Sequence, residues 1–429
     1  MISFSLADVV LLISLIVSLS TYVFLSKREG SYLNILTPTF IVGIPGYYLL
    51  PLFFTHVFGA EGSTYAHTYV YTTLAVENIV FAYVYTRTNR APIRLPFRYA
   101  YENFDLLSFA LLGLGVLMYA PVLLQFPEYI LDPRQIYAHT RTGFGVNFFI
   151  SSTFAYLAVI LIQFSGRSRL TKGSIILTAA VLLSLHGSKM QVLSLVLLLA
   201  LFQVYVKGRK LRLLPSLLAG IGLGFLLLLL FAATMALGEG PVEALEAISQ
   251  YSDYTRNAML VIDSHFPLQY GRLTVESQTF SRIPRFLMPS KPKNFGAFYL
   301  ADQFFPQAMD ADEGAPDFGI GVQYADFGAF AILYLAIFAM LRGWLTRVFV
   351  GRLKRSRHPA DFVLVAFLAG ISLFPVGAAG WLLPEALAVA AFFCFASRVG
   401  ADNVYRERIV STPRFAPPSL GPTNPTGTG

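Results

Sequence analysis

The chain is a succession of apolar runs of roughly 17–25 residues, the length an α-helix needs to cross a hydrocarbon core about 30 Å thick. Such a core offers no water to the backbone, so a run of that length must satisfy its own N–H and C=O groups and folds as a helix. The composition agrees, with 13% charged residues where a soluble chain carries about 25%. The runs read as spans at roughly 5–25, 31–54, 67–86, 104–125, 147–165, 213–235 and 320–344. Tighter hairpins at 174–206 and 360–397 hold two helices each, giving about eleven crossings in an all-α polytopic membrane protein. The first run lacks a positive leader and a small-residue cleavage site and reads as an uncleaved span.

Charge orients the spans. Alternate connections carry short basic clusters nearly free of acid, beginning with Lys27/Arg28, Arg87/Arg90 and Arg167/Arg169/Lys172 and ending with Arg398/Arg406/Arg408. The positive-inside rule assigns these to the cytoplasm. The N-terminus is then outside and the C-terminus inside. The net charge of +8 is this orientation signal, so no nucleic-acid partner is expected. The organisation expected is helices one to eight within 1–235, an outer loop at 236–319, the last three helices within 320–400 and a Pro-rich tail at 401–429. Cys394 is the single cysteine, so no disulfide supports the outer loops.

Two outer connections stand out, a shorter one at 126–146 and the long one at 236–319. The long loop is expected to open with a helix entered at Gly240-Pro241 and carrying Leu245, Ile248, Tyr251 and Tyr254 at helical spacing. Its six bases, Arg256, Arg272, Arg282, Arg285, Lys291 and Lys293, all precede residue 294, with Asp263 and Glu276 as the acids between them. Residues 294–319 then hold five acids and no base. Positive charge outside runs against the orientation rule. Two readings are open: solvated surface, or a grip on an anion at the outer edge of the membrane. Arginine presents a planar, permanently charged fork that matches phosphate oxygens. The three prolines of "SRIPRFLMPSKPKNFG" restrict the loop that carries it.

That stretch, followed by an acidic segment and "GIGVQYADFGAF" entering a helix, resembles the Wzy-type O-antigen and oligosaccharide repeat-unit polymerases. Some members carry, in both outer loops, an Arg and a Gly with ten residues between them. Here Arg134 and Gly145 stand in that relation, as do Arg285 and Gly296. The resemblance implies a GT-C-like membrane glycosyltransferase acting on undecaprenyl-pyrophosphate-linked oligosaccharide beside membrane lipid. Arg285, Arg282, Arg134, Arg141, Lys291 and Lys189 are the residues expected to hold the pyrophosphate. No cofactor and no metal are expected. A chain-length regulator protein is left open as a partner.

Glycan transfer from a polyprenyl pyrophosphate needs positive groups on the departing pyrophosphate and a base on the acceptor hydroxyl. Asp317 is the first candidate base, eleven residues before Gly328 where related O-antigen ligases carry a His, and Glu313 is the second. Glu276 and His139 follow. The alternative for Asp317 is a favourable place near a helix N-terminus. Lys189 sits in a hairpin too short for two full spans, so its turn is expected below the outer surface, the lysine contacting phosphate or snorkelling outward. Glu77-Asn78 lies mid-span, as a functional relay or an interhelical hydrogen bond. Three prolines and two glycines in "TPTFIVGIPGYYLLP" predict a kinked helix. An O-antigen ligase remains the rival of the same class, and a lipid or glycan transporter the rival of another.

Overall fold

The computed structural model describes residues 6–52, 62–88, 104–130, 135–136, 144–210, 253–283, 287–307, 316–374 and 384–396. Among them every regular element is helical. In chain order these are α1 (Leu6–Glu29), α2 (Thr37–Ile44), α3 (Thr64–Arg87), α4 (Phe104–Gln125), α5 (Gly145–Phe164), α6 (Arg169–Leu185) and α7 (Lys189–Tyr205). The outer segment contributes α8 (Asp253–Asp263), α9 (Arg272–Phe280) and α10 (Ala297–Phe304). The chain then runs through α11 (Gly321–Phe327), a single tight turn and α12 (Ala331–Ser356), and ends in α13 (Pro359–Leu368) and α14 (Pro384–Ala396).

Among the described residues four stretches are long and apolar enough to cross a membrane: α1, α4, α5 and the continuous run Gly321–Ser356. They coincide with four of the expected spans. The expected span at 213–235 and the opening of the outer loop lie outside the described residues, although Tyr254 does fall within α8. The Pro/Gly-rich span leaves regular α-helical geometry at Pro45. Pro45 has no N–H to give, the ladder slips, and the Leu50 N–H reaches back five residues to the Pro45 carbonyl in a widened turn over Pro45–Leu49.

Helices α6 and α7 have 17 residues each, about 26 Å at 1.5 Å per residue, which is short of a full crossing. The turn between them packs among other helices. His186 is fully buried, its ring 4.2 Å from that of Tyr119 and 4.4 Å from that of Phe148. Its Nδ1 lies 2.8 Å from the Leu182 carbonyl, while the Tyr119 hydroxyl donates to the Leu185 carbonyl at 2.6 Å.

Helix ends assigned to one side by charge meet in space. Glu29, closing α1, accepts hydrogen bonds from Tyr85 of α3 and Tyr205 of α7. Lys354 of α12 lies over the Tyr205 ring, and buried Arg352 pairs with Asp361 of α13 at 2.6 Å. The largest apolar core runs through α4, α5, α6, α7 and α13, and a second joins α1 and α3 to α8. Helix α12 reaches α3 closely at Gly343, where a Cβ would stand 2.8 Å from the Phe81 carbonyl oxygen. Small residues at such crossings let backbones approach, and this one fixes the height of Arg342 against α3.

Candidate functional site

The outer segment is fastened to the membrane helices at several points. Asp263, ending α8, accepts from the Ser63 amide at 2.7 Å and from the Ser63 hydroxyl, at the start of α3. Ala258, Met259 and Ile262 of α8 pack with Val70, Tyr71 and Leu335. The start of α9 is held by Asp326 of α11, a buried carboxylate that accepts from the Leu273 amide at 2.9 Å and the Thr274 amide at 2.7 Å. Four N–H groups at a helix start lack partners within the helix, and this acid satisfies two of them.

The basic stretch folds back on α9. The Gly296 amide donates to Glu276 at 3.0 Å, and Arg272 pairs with the same carboxylate at 3.4 Å. Gly296 has φ +56°, and a Cβ there would fall 2.0 Å from the Ser277 hydroxyl. Only glycine fits, which gives a steric reason for the Gly of the spaced Arg/Gly pair. Lys291 donates to the Ile283 carbonyl at 3.0 Å and lies over the Phe295 ring at 4.8 Å. Arg282 is engaged on all sides. Its guanidinium is paired with Glu385, in the first turn of α14, and its Nη1 donates to the Gln278 side-chain oxygen at 2.9 Å.

Of the expected site residues, the structure brings Arg282, Lys291 and Glu276 into this one folded unit. Arg285, Arg134, Arg141, Glu313 and His139 lie outside the described residues. Lys189 opens α7. Asp317 is exposed, with Oδ1 accepting from the Gly319 amide at 2.9 Å, and its backbone carbonyl accepts from Asn257 of α8 at 2.8 Å. Gly319 turns at φ +48° so close to α8 that a Cβ would lie 2.7 Å from the Tyr254 carbonyl oxygen. Asp317 is thereby held at a fixed place on the seam between α8 and α11.

Gly319 and Ile320 form part of the lining of a cavity of about 250 Å³ that extends among α1, α2, α3 and α12. Its other walls include Tyr47 and Tyr48 of the widened turn, Glu77 and Asn78 of α3, and Arg342 of α12. Tyr47 lies within electrostatic reach of both Asp317 and Glu77. Asn78 donates to Ser18 of α1 at 2.9 Å, an interhelical hydrogen bond. Arg342 donates from Nε to the Leu368 carbonyl at 3.0 Å and stacks 5.4 Å above the Phe81 ring. Arg342, Glu385 and Asp326 were not among the residues singled out from sequence. An arginine within the 320–344 apolar run was a legible signal for the first, because charge at that depth is costly unless it faces a cavity or a partner.

Over 297 residues, 69% of this chain, the sequence is 38% identical to an O-antigen polymerase of Salmonella typhimurium, and the match covers 71% of that protein. The same figures relate it to an O-antigen polymerase of Salmonella typhi. No family model matches the chain, and no solved structure does.

Proposed function

The chain belongs to the O-antigen polymerase family, and from that premise we propose that it joins lipid-linked oligosaccharide repeat units into O-antigen at the outer face of the cytoplasmic membrane. The observation that carries this reading is the 38% identity to named O-antigen polymerases across more than two thirds of both chains. The fold we infer for the whole chain is GT-C-like, with about eleven crossings, the N-terminus outside and the C-terminus inside, and 236–319 as the outer loop.

In the proposed reaction the anomeric carbon of the growing chain leaves its polyprenyl pyrophosphate and bonds to a hydroxyl oxygen of the incoming lipid-linked repeat. The hydroxyl proton passes to a carboxylate, for which Asp317 is the first choice and Glu313 the second. The exposure of Asp317 and its fixed seat on the α8–α11 seam support that role. Charge growing on the departing pyrophosphate is balanced by cations in place of a metal. Arg285, Arg134, Arg141, Lys291 and Lys189 are the residues proposed for this work. Arg282 has its fork on Glu385, which supports a positioning role: it ties the basic stretch to α14.

The test is the lipopolysaccharide profile of a host lacking this gene. Single repeats still attached to lipid A, with long chains restored by the wild-type gene, are expected. Loss of all attachment makes the chain a ligase, and an unchanged ladder removes the polymerase reading altogether.

A further inference from the structure

Glu77 and Arg342 are opposite charges at the middle of α3 and α12, and both line the same cavity. They sense each other electrostatically. Among the described residues, however, the two form no ion pair at contact distance, and Glu77 has no hydrogen bond. Charges inside a membrane domain ordinarily close on a partner or face water. Here both line one opening without closing on each other. Arg342 is held by Leu368 through Nε and by Phe81 beneath its plane. Gly343, the next residue, packs α12 against α3.

We propose that this cavity is a binding site for one neutral sugar ring of the lipid-linked repeat, whose hydroxyls bridge Glu77 and Arg342. The inference rests on the polymerase reading above. The chemistry discriminates between the two halves of such a substrate. A pyrophosphate is an anion, and Glu77 would repel it. A sugar ring presents hydroxyls that donate to a carboxylate, accept from a guanidinium and do both with the Asn78 amide. Its C–H faces pack on aromatic rings, and Phe40, Phe338 and Tyr47 line the walls. The volume of about 250 Å³ lies just under the ~300 Å³ at which small-molecule sites begin, which suits one ring and excludes a whole repeat. The lining residues Gly319 and Ile320 follow Asp317 by two and three positions, which connects the cavity to the α8–α11 seam that carries the proposed base. Glu77 and Arg342 are accordingly positioning residues for the acceptor sugar.

The experiment measures binding rather than turnover. The free oligosaccharide repeat unit, cleaved from the host's lipid-linked precursor, is titrated into the purified full-length protein in nanodiscs. Saturable binding is expected, weakened at least about tenfold in Glu77→Gln and in Arg342→Met, each of which loses a charged hydrogen bond. Ala339→Leu fills the cavity without touching either charge. It should unfold at the wild-type temperature or above and bind no oligosaccharide. Inorganic pyrophosphate should not compete. Competition by pyrophosphate would make this the anion site and overturn the sugar assignment. Full binding by a folded Ala339→Leu protein, or no binding by the wild type, would remove the site. A host-deletion profile with an unchanged ladder would instead defeat the polymerase reading, so the two failures are separable.

Discussion

Asp326→Asn tests how the outer segment is built. The wild-type carboxylate is buried and accepts two amide hydrogens at the start of α9, from Leu273 at 2.9 Å and Thr274 at 2.7 Å. Asparagine keeps one acceptor oxygen and turns an NH2 group toward the second amide. One charge-assisted bond is lost, about 2 kcal/mol within the usual 1.5–3. At 1.4 kcal/mol per factor of ten, the two amides should open about 30-fold more often. Asp326→Ala removes both bonds and should cost about 4 kcal/mol. Hydrogen exchange read on the peptide covering 272–280 measures the change directly, with the α5 peptide as an internal standard. Because α9 leads into the basic stretch, O-antigen ladders should shorten in Asn and disappear in Ala at equal protein level. Exchange at 272–280 unchanged in both variants would refute the capping role and the positioning argument built on it.

Orientation is checked with Ser290→Cys and Leu170→Cys in a Cys394→Ser background: the first should react with a membrane-impermeant thiol reagent in intact cells and the second should not. Purified enzyme should keep its activity in excess chelator, the outcome expected of an arginine clamp; activity lost to chelator and restored by magnesium would put a metal in its place. Arg285→Ala should lose 10- to 200-fold in turnover, the range of about 1.5–3 kcal/mol for a charged hydrogen bond, with Arg285→Lys retaining part; normal polymer from a well-expressed Ala variant would make the stretch solvated surface. For the Arg282–Glu385 pair, the double variant Arg282→Gln/Glu385→Gln should recover the protein level and ladder that either single variant loses. A stable but inactive double variant would return Arg282 to phosphate binding.

Much of the fold could be read from periodicity and length, because a hydrocarbon solvent leaves a 20-residue apolar run one conformation. The runs giving α1, α4, α5 and Gly321–Ser356 are cases of that rule. The break in the α-helical ladder at Pro45 was equally legible, since proline removes a named hydrogen bond. The shortness of α6 and α7 was legible as well, from counting residues against bilayer thickness. What could not be read was the packing of the outer segment. Asp326 and Leu273 are 53 residues apart, and Ser63 and Asp263 are 200. A carboxylate that caps a distant helix has the same sequence signature as one that faces water.

The same physics explains why the candidate site was only half visible. Outer positive charge drew attention to 256–293 because it contradicts the orientation rule, yet a positive side chain in a loop can serve a ligand or the fold. Among the described residues, Arg282 and Lys291 spend donors on Glu385 and on the Ile283 carbonyl, and Glu276 accepts from the Gly296 amide, contacts that charge counting along the sequence could not supply. The pair inside the membrane domain has the opposite logic. Water solvates an unmatched charge on a loop at little cost, whereas apolar helices cannot, so an acid and a base that line one cavity inside the membrane domain call for a polar partner. Depth therefore makes a charge more informative than number does. Under the proposal above, a ligand that meets both must give hydrogen bonds to Glu77 and take them from Arg342, a tighter condition than six charges on a solvated loop impose.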